Sequence, residues 1–286
     1  MIRDATKAEL SEAAQYAYRL NSVPSHRCKA FPSEYEGISK QFAKMLDHPH
    51  DRLLLWEEGE RLGGVLALLV DPRERYLEAV GGVFAQDNYS VVAKEFFAYI
   101  AGNYPGYRLD AAYPEENVQA IGFMQSIGAE LVDYDYELRL NASQFQRPSS
   151  SQKAMLLACT FHDGFVEFHD TRYPDAYWTG KKLLENLGIF RIHIVPENER
   201  VAGAAVTCLR TAEIFFLTVA DPKQIAGYGK SLLLSAVEDC FGQGAEEMLA
   251  MVERDDINKL RLFEEFGFRK ADTCLSFTKI IDGTGK

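Results

Sequence analysis

The residues with the clearest chemical promise are Gln224-Ile225-Ala226-Gly227-Tyr228-Gly229-Lys230, set between the apolar run Ile214–Val219 and a helix-forming run that begins at Ser231. Strand, glycine-bearing turn and helix in that order make an anion site. The glycines remove Cβ atoms where backbone must approach a ligand, and the helix start aims free N–H groups and its positive dipole end at the turn. A phosphate is the simplest occupant. Two common phosphate cradles each miss one defining residue. A dinucleotide fingerprint needs glycine at the position of Leu232, and a nucleotide-triphosphate loop ending in Gly229-Lys230-Ser231 needs its first glycine at Gln224.

The remaining pattern, Gln/Arg-x-x-Gly-x-Gly/Ala, resembles the pyrophosphate-binding signature of the GNAT superfamily of acyl-CoA-dependent N-acyltransferases. Downstream, the apolar run Met248–Val252 and the amphipathic stretch Asp256–Phe266, closed by Gly267-Phe268, resemble that family's strand and Asn-x-x-Ala-x-x-Leu-Tyr-x-x-x-Gly-Phe helix. Leu262, Gly267 and Phe268 match. Asp256 stands at the asparagine, Lys259 at the alanine, and Phe263 at the tyrosine that protonates the departing thiolate.

The resemblance implies acetyl-CoA as cosubstrate, no metal, and a small-molecule or peptide amine as acceptor. It assigns the pantetheine arm and thioester to backbone at Leu217, Thr218 and Val219. The pyrophosphate falls to Gln224, Ile225, Ala226, Gly227, Tyr228, Gly229 and Lys230, with Asp256 at the next helix and Lys223 and Lys230 as flanking charges. Glu213 is the candidate base on the fourth strand, with Glu253 ending the next strand. Because Phe263 has no proton to give, Tyr228 and Tyr177 are the candidate acids. Tyr173, Tyr177 and Trp178 are the candidate acceptor wall. His162-Asp163 and His169-Asp170 pair acid with base, but Phe165–Phe168 reads as a strand, on which neighbours face opposite ways.

Sliding the sequence on itself by 139 residues aligns Arg61 with Arg200, Gly64 with Gly203, Val80 with Val219 and Gly128 with Gly267 without a gap. Only ten of the 77 positions in this frame are identical, so placement carries more weight than number. Leu53–Leu68 and Ile192–Val206 both read as strand hairpins around a polar turn. The expectation is an α/β protein of two tandem GNAT-like mixed-sheet folds, residues 1–140 and 150–286, joined by the Ser-rich connector Leu140–Lys153. The first copy keeps the helix signature at Asn117, Ala120 and Gly128. Its turn, Ala85-Gln-Asp87-Asn88-Tyr-Ser90, has lost both glycines and gained a carboxylate, so it should bind no coenzyme A.

Composition narrows the partners. Apolar content of 47% with 26% charged residues is that of a globular protein, and no apolar stretch approaches the roughly 20 residues that span a bilayer. A net charge of −11 disfavours nucleic acid and suits a cationic acceptor. Five cysteines without a C-x-x-C pair fit reduced thiols and no structural zinc, and the chain start carries no signal-peptide core, so the expected location is cytoplasmic. Two alternatives stay open: a non-catalytic acyl-CoA-binding module, consistent with Phe263, and a nucleotide hydrolase using Gly229-Lys230-Ser231.

Overall fold

Local sequence explains most elements. After the short strand β1 (Ile2–Asp4), Thr6 and Glu9 form a capping box, and Ala13, Ala14, Ala17 and Leu20 then line the buried face of α1 (Leu10–Asn21). Ile38, Phe42 and Met45 do the same for α2 (Tyr35–Asp47). The buried Leu53–Leu55 run is the centre of β2 (Arg52–Glu58), which turns back as β3 (Arg61–Asp71) and continues into β4 (Tyr76–Phe84). There follow α3 (Tyr89–Asn103), β5 (Arg108–Tyr113), α4 (Val118–Ser126) and β6 (Glu130–Asn141).

The second half repeats the plan. It contains β7 (Met155–Leu156), α5 (His162–Arg172), α6 (Gly180–Glu185), β8 (Phe190–Glu197), β9 (Arg200–Cys208) and β10 (Glu213–Val219). It ends with α7 (Lys230–Gly242), β11 (Glu247–Glu253), α8 (Ile257–Glu265) and β12 (Arg269–Ile280). Asn198 and Glu199 both take positive φ in the β8–β9 hairpin, which gives its two-residue turn the twist that strands prefer. The computed structural model describes residues 1–282 apart from Ala30, Glu60, Gln146, 149–153 and 223–224.

The aligned glycines have matching structural duties. A Cβ on Gly64 would lie 2.5 Å from Val92 of α3, and one on Gly203 would lie 3.0 Å from Leu232 of α7, so both let a helix settle on its sheet. Gly128 and Gly267 follow α4 and α8 at φ +70° and +98°, the left-handed conformation in which helices end.

Two expectations need correction. The compact units are residues 1–134 with 273–286, and residues 135–272, not 1–140 and 150–286. In the first unit, the sheet runs β1-β2-β3-β4-β5 and is completed by Leu275–Ile280 of β12, antiparallel to β5. In the second, Asp135–Asn141 of β6 pairs antiparallel with β11, followed by β10, β9, β8 and β7. Each unit thus takes its last strand from the other sequence half, an exchange that a repeat cannot reveal because both strands keep their sequence positions. The other correction is Phe165–Phe168, which lies in the middle of helix α5. Phe165, His169 and Tyr173 recur every four residues, and that helical period outweighs the β-type composition.

Candidate functional site

The site of the second unit is built on a parting of strands. β10 pairs with β9 from Glu213 to Val219, but with its parallel neighbour β11 only at Glu213–Leu249 and Ile214–Ala250. A register irregularity lies between Ile214 and Phe216, and beyond it β10 and β11 separate. The backbone that β10 turns toward β11 at Leu217–Val219 has no strand partner among the described residues. Unpaired strand backbone at the mouth of a slot can hydrogen-bond an extended amide arm and polarise a carbonyl.

At the end of β10 the chain turns into helix earlier than expected. Ile225–Gly229 is a single π turn continuous with α7, rather than an open loop. It presents the N–H groups that have no partner one turn back, and Ala226 and Gly227 are exposed on it. Gly229 is buried for a packing reason: a Cβ there would lie 2.7 Å from Ile225 and 3.1 Å from Leu262 of α8. Gln224 and Lys223 lie outside the described residues.

Several side chains assigned to this site have other engagements. Lys230 pairs with Glu265 at 3.0 Å, which spends its charge within the protein. The Tyr228 hydroxyl donates to Glu197 at 3.0 Å, and this bond to a carboxylate raises its pKa. Asp256 is the N-cap of α8, accepting from the Lys259 N–H at 2.9 Å, with the Lys259 ammonium at 3.4 Å. Asn117 caps α4 in the same way, so the asparagine of the family helix and its aspartate substitute share a capping role here. Tyr177 packs edge-on against Trp178 and beneath the ammonium of Lys182 at α6. Phe263 is buried edge-on against Phe268, 4.9 Å between ring centroids.

On the sheet face covered by α5, Glu213 stands at the closed end of the slot. Burial, with the Glu137 charge adding to it, raises its pKa to about 7 against a smaller opposing bond from Thr211. Further along, Tyr173 packs at a tilt against Phe216 of β10, 4.6 Å between ring centroids, and its hydroxyl reaches the Thr218 side chain. Burial raises the Tyr173 pKa, while the nearby Lys259 charge and the Thr218 bond oppose that rise. Tyr173 is the tyrosine of the aromatic segment that reaches the parted stretch of β10. The four-residue spacing of Phe165, His169 and Tyr173 is the sequence signal that locates it. His169 joins the same cluster and bonds Asp170 through Nδ1 at 3.0 Å, a contact that the strand reading disfavoured.

No curated protein matches the chain. Residues 150–268 match the model of the acetyltransferase (GNAT) family. Among solved structures, a GCN5-related N-acetyltransferase from Sphaerobacter thermophilus aligns over 100% of this chain and 97% of its own, with TM-score 0.69 and 11% identity. A tandem GNAT protein from the clavulanic acid biosynthesis pathway aligns over 100% and 99%, with TM-score 0.63 and 10% identity. At these identities the likeness is one of fold, and it extends over both halves. The fold is that of the GNAT acetyltransferases. Members of the family use acetyl-CoA and act on amine acceptors. Among the described residues, no helix is long and apolar enough to cross a membrane, and no group of three or more His, Cys, Asp or Glu side chains is arranged to hold a metal.

The first unit carries the GNAT strand parting as well. β4 pairs with β5 from Tyr76–Arg108 to Glu78–Asp110 and then diverges. Here, however, rings cover the exposed backbone. Gly81 and Gly82, at φ +76° and +73°, have no room for a Cβ because Phe31 and Tyr113 lie 2.5 Å from where each would be. The buried Tyr113 hydroxyl faces Tyr89 and takes a bond from the Val83 backbone. Asn88, at φ +51°, starts α3 where the second unit has Gly227.

Proposed function

We propose that the second unit transfers an acetyl group from acetyl-CoA to an amine. The observation that carries this reading is the parting of β10 from β11 directly before the glycine-bearing start of α7, inside the segment that matches the GNAT family. Backbone at Leu217, Thr218 and Val219 would hold the pantetheine arm and polarise the thioester carbonyl. The first-turn N–H groups of Ile225, Ala226, Gly227, Tyr228 and Gly229 would take the pyrophosphate, with Gln224 preceding them.

The transfer forms a C–N bond and breaks a C–S bond. Of the two protons the acceptor ammonium gives up, one ends on sulfur and one on a base. The Tyr173 hydroxyl, beside Thr218, is the donor we assign to the sulfur. Glu213 remains a candidate base, since a proton affinity near neutrality suits that task, although it stands where β10 and β11 are still paired. Five free cysteines and a net charge of −11 support a cytoplasmic protein with a cationic acceptor. The buried, donor-free Phe263 favours a second reading, an acyl-CoA-binding module without turnover.

The test is a time course of free thiol release from acetyl-CoA with a panel of primary amines, beside a calorimetric titration of acetyl-CoA alone. Binding with amine-dependent thiol release is the expected result. Binding without release on any amine establishes the second reading, and absence of binding removes both.

A further inference from the structure

The second unit contains a buried acid–base pair that the family signature does not assign. His169 is 2% exposed, its Nδ1 lies 3.0 Å from Asp170 Oδ1, and its Nε2 is buried without a hydrogen-bond partner among the described residues. Asp170 is itself fixed, because the same Oδ1 accepts the Gly180 N–H at 2.6 Å. α6 comes so close here that a Cβ on Gly180 would lie 2.8 Å from Val166 of α5. A carboxylate acting on Nδ1 sets the imidazole with its proton on that nitrogen, which leaves Nε2 as a lone-pair acceptor. A buried acceptor with no partner costs about 1–3 kcal/mol unless something fills its need.

The position of this ring gives the pair a use. His169 stands perpendicular to Phe216 with 4.8 Å between ring centroids, and 5.3 Å from Tyr173. Phe216 lies on β10 just beyond the irregularity where β11 departs, and Tyr173 ends at Thr218 in the parted stretch. Glu213, by contrast, is paired with Leu249 at the closed end. We propose that His169 is the base that takes a proton from the acceptor ammonium, and that Asp170 is its positioning residue. This rests on the acetyl-transfer reading.

In this step an ammonium N–H bond breaks, the proton passes to Nε2, and a neutral amine with a free lone pair remains to attack the thioester. The imidazolium is stabilised by Asp170 and returns its proton to solvent after the product leaves. The charged and titratable groups around the ring are Asp170 on its own helix and Tyr173 just beyond that helix's end. Glu253 at the end of β11 and Lys259 on α8 act through Tyr173. The contacts from β10 are Phe216 and, through Tyr173, Thr218; from α6 the dyad receives the Gly180 N–H. An aromatic wall with one neutral acceptor nitrogen suits a primary ammonium.

The experiment compares the full-length wild type with His169→Gln and Asp170→Asn, using acetyl-CoA and the best primary amine of the panel. His169→Gln is expected to keep acetyl-CoA affinity within about twofold and to lose about a hundredfold in kcat/KM near neutral pH, the usual share of one general base. Its pH–rate profile should differ in shape from that of wild type and follow only the free-amine fraction of the acceptor. Asp170→Asn keeps an oxygen for Gly180 and should fall between wild type and His169→Gln. A His169→Gln chain that matches wild type in rate and profile overturns the assignment and leaves acetyl transfer standing. A wild-type chain that binds acetyl-CoA but acetylates no amine removes the transfer reading and the base with it. Independently of turnover, nitrogen NMR of the imidazoles in the unliganded chain should find His169 protonated on Nδ1; the opposite tautomer overturns the proposal.

Discussion

Both units part their central parallel strands at the same place in the fold, yet they treat the exposed backbone in opposite ways. In the first unit, the Phe31 and Tyr113 rings press against Gly81 and Gly82, and the Tyr113 hydroxyl takes up the Val83 backbone. In the second, Phe216 and Thr218 lie on the parted stretch of β10, Tyr173 and His169 pack against Phe216, and the chain goes on to a helix start with Ala226 and Gly227 exposed. A strand parting leaves polar backbone that must be satisfied by something. Side chains from within can do so permanently, or a ligand can do so when it arrives, and only the second choice leaves a binding site.

The sharpest way to break this comparison is to remove the plug. Tyr113→Ala deletes a fully buried ring and should destabilise the chain by roughly 3–5 kcal/mol in urea unfolding, the range for large-to-small core changes. It should not create a second acetyl-CoA site, because Asn88 and Asp87 remain at the helix start. Calorimetry on the folded variant should still give one acetyl-CoA per chain, and a stoichiometry of two would show that the plug alone separates the units. Asn88→Gly, a change tolerated at φ +51°, should likewise leave one site.

The complementary test disables the open site. Gly227→Val puts a branched side chain on the exposed first turn before α7 and should weaken acetyl-CoA binding by roughly a hundredfold, about 2.7 kcal/mol. Its unfolding midpoint should stay near wild type. Unchanged affinity in the folded variant would remove the phosphate role of this turn.

Glu213 offers a test through pH. Its folded pKa of about 7 exceeds the ordinary 4.5, so the native state holds more protons than the unfolded state between those values. Stability should therefore fall as pH rises from about 4.5 to about 7 and then level off. Glu213→Gln should remove that slope and gain on the order of 2 kcal/mol over wild type at pH 8, with little gain at pH 4.5. Equal slopes in wild type and variant, read by chemical denaturation, would show that the carboxylate is better solvated than its burial implies. The smallest effect belongs to Asp256→Ala, which loses the α8 cap and should cost about 1 kcal/mol while acetyl-CoA affinity changes less than about twofold. A large loss of affinity would return Asp256 to the ligand site.

Much of the fold was legible before the structure. The β2–β3 and β8–β9 hairpins followed from alternating apolar runs around polar turns, and Gly128 and Gly267 marked the ends of matching helices. The site was legible only as far as it is made of backbone. The helix start at Ile225–Lys230 could be read because a helix that follows a strand is a local property, set by a few consecutive residues. Side-chain roles were not legible in the same way. Lys230, Tyr228 and Asp256 all stand at the right sequence positions, but Glu265, Glu197 and the Lys259 N–H claim them from elsewhere.

The sequence by itself determined the periodicities, the caps, the glycine turn and the fact of two copies, since each depends on residues close together in the chain or on a constant shift. Tertiary structure decided which strand parting is covered by rings and which, among the described residues, is not. That outcome turns on Tyr113 meeting Gly82, and on His169 and Tyr173 meeting Phe216, contacts between residues 31 to 47 positions apart in the chain. It also decided that β6 and β12 complete each other's units, because a strand's own residues set its pleat and its buried face but not which sheet it joins.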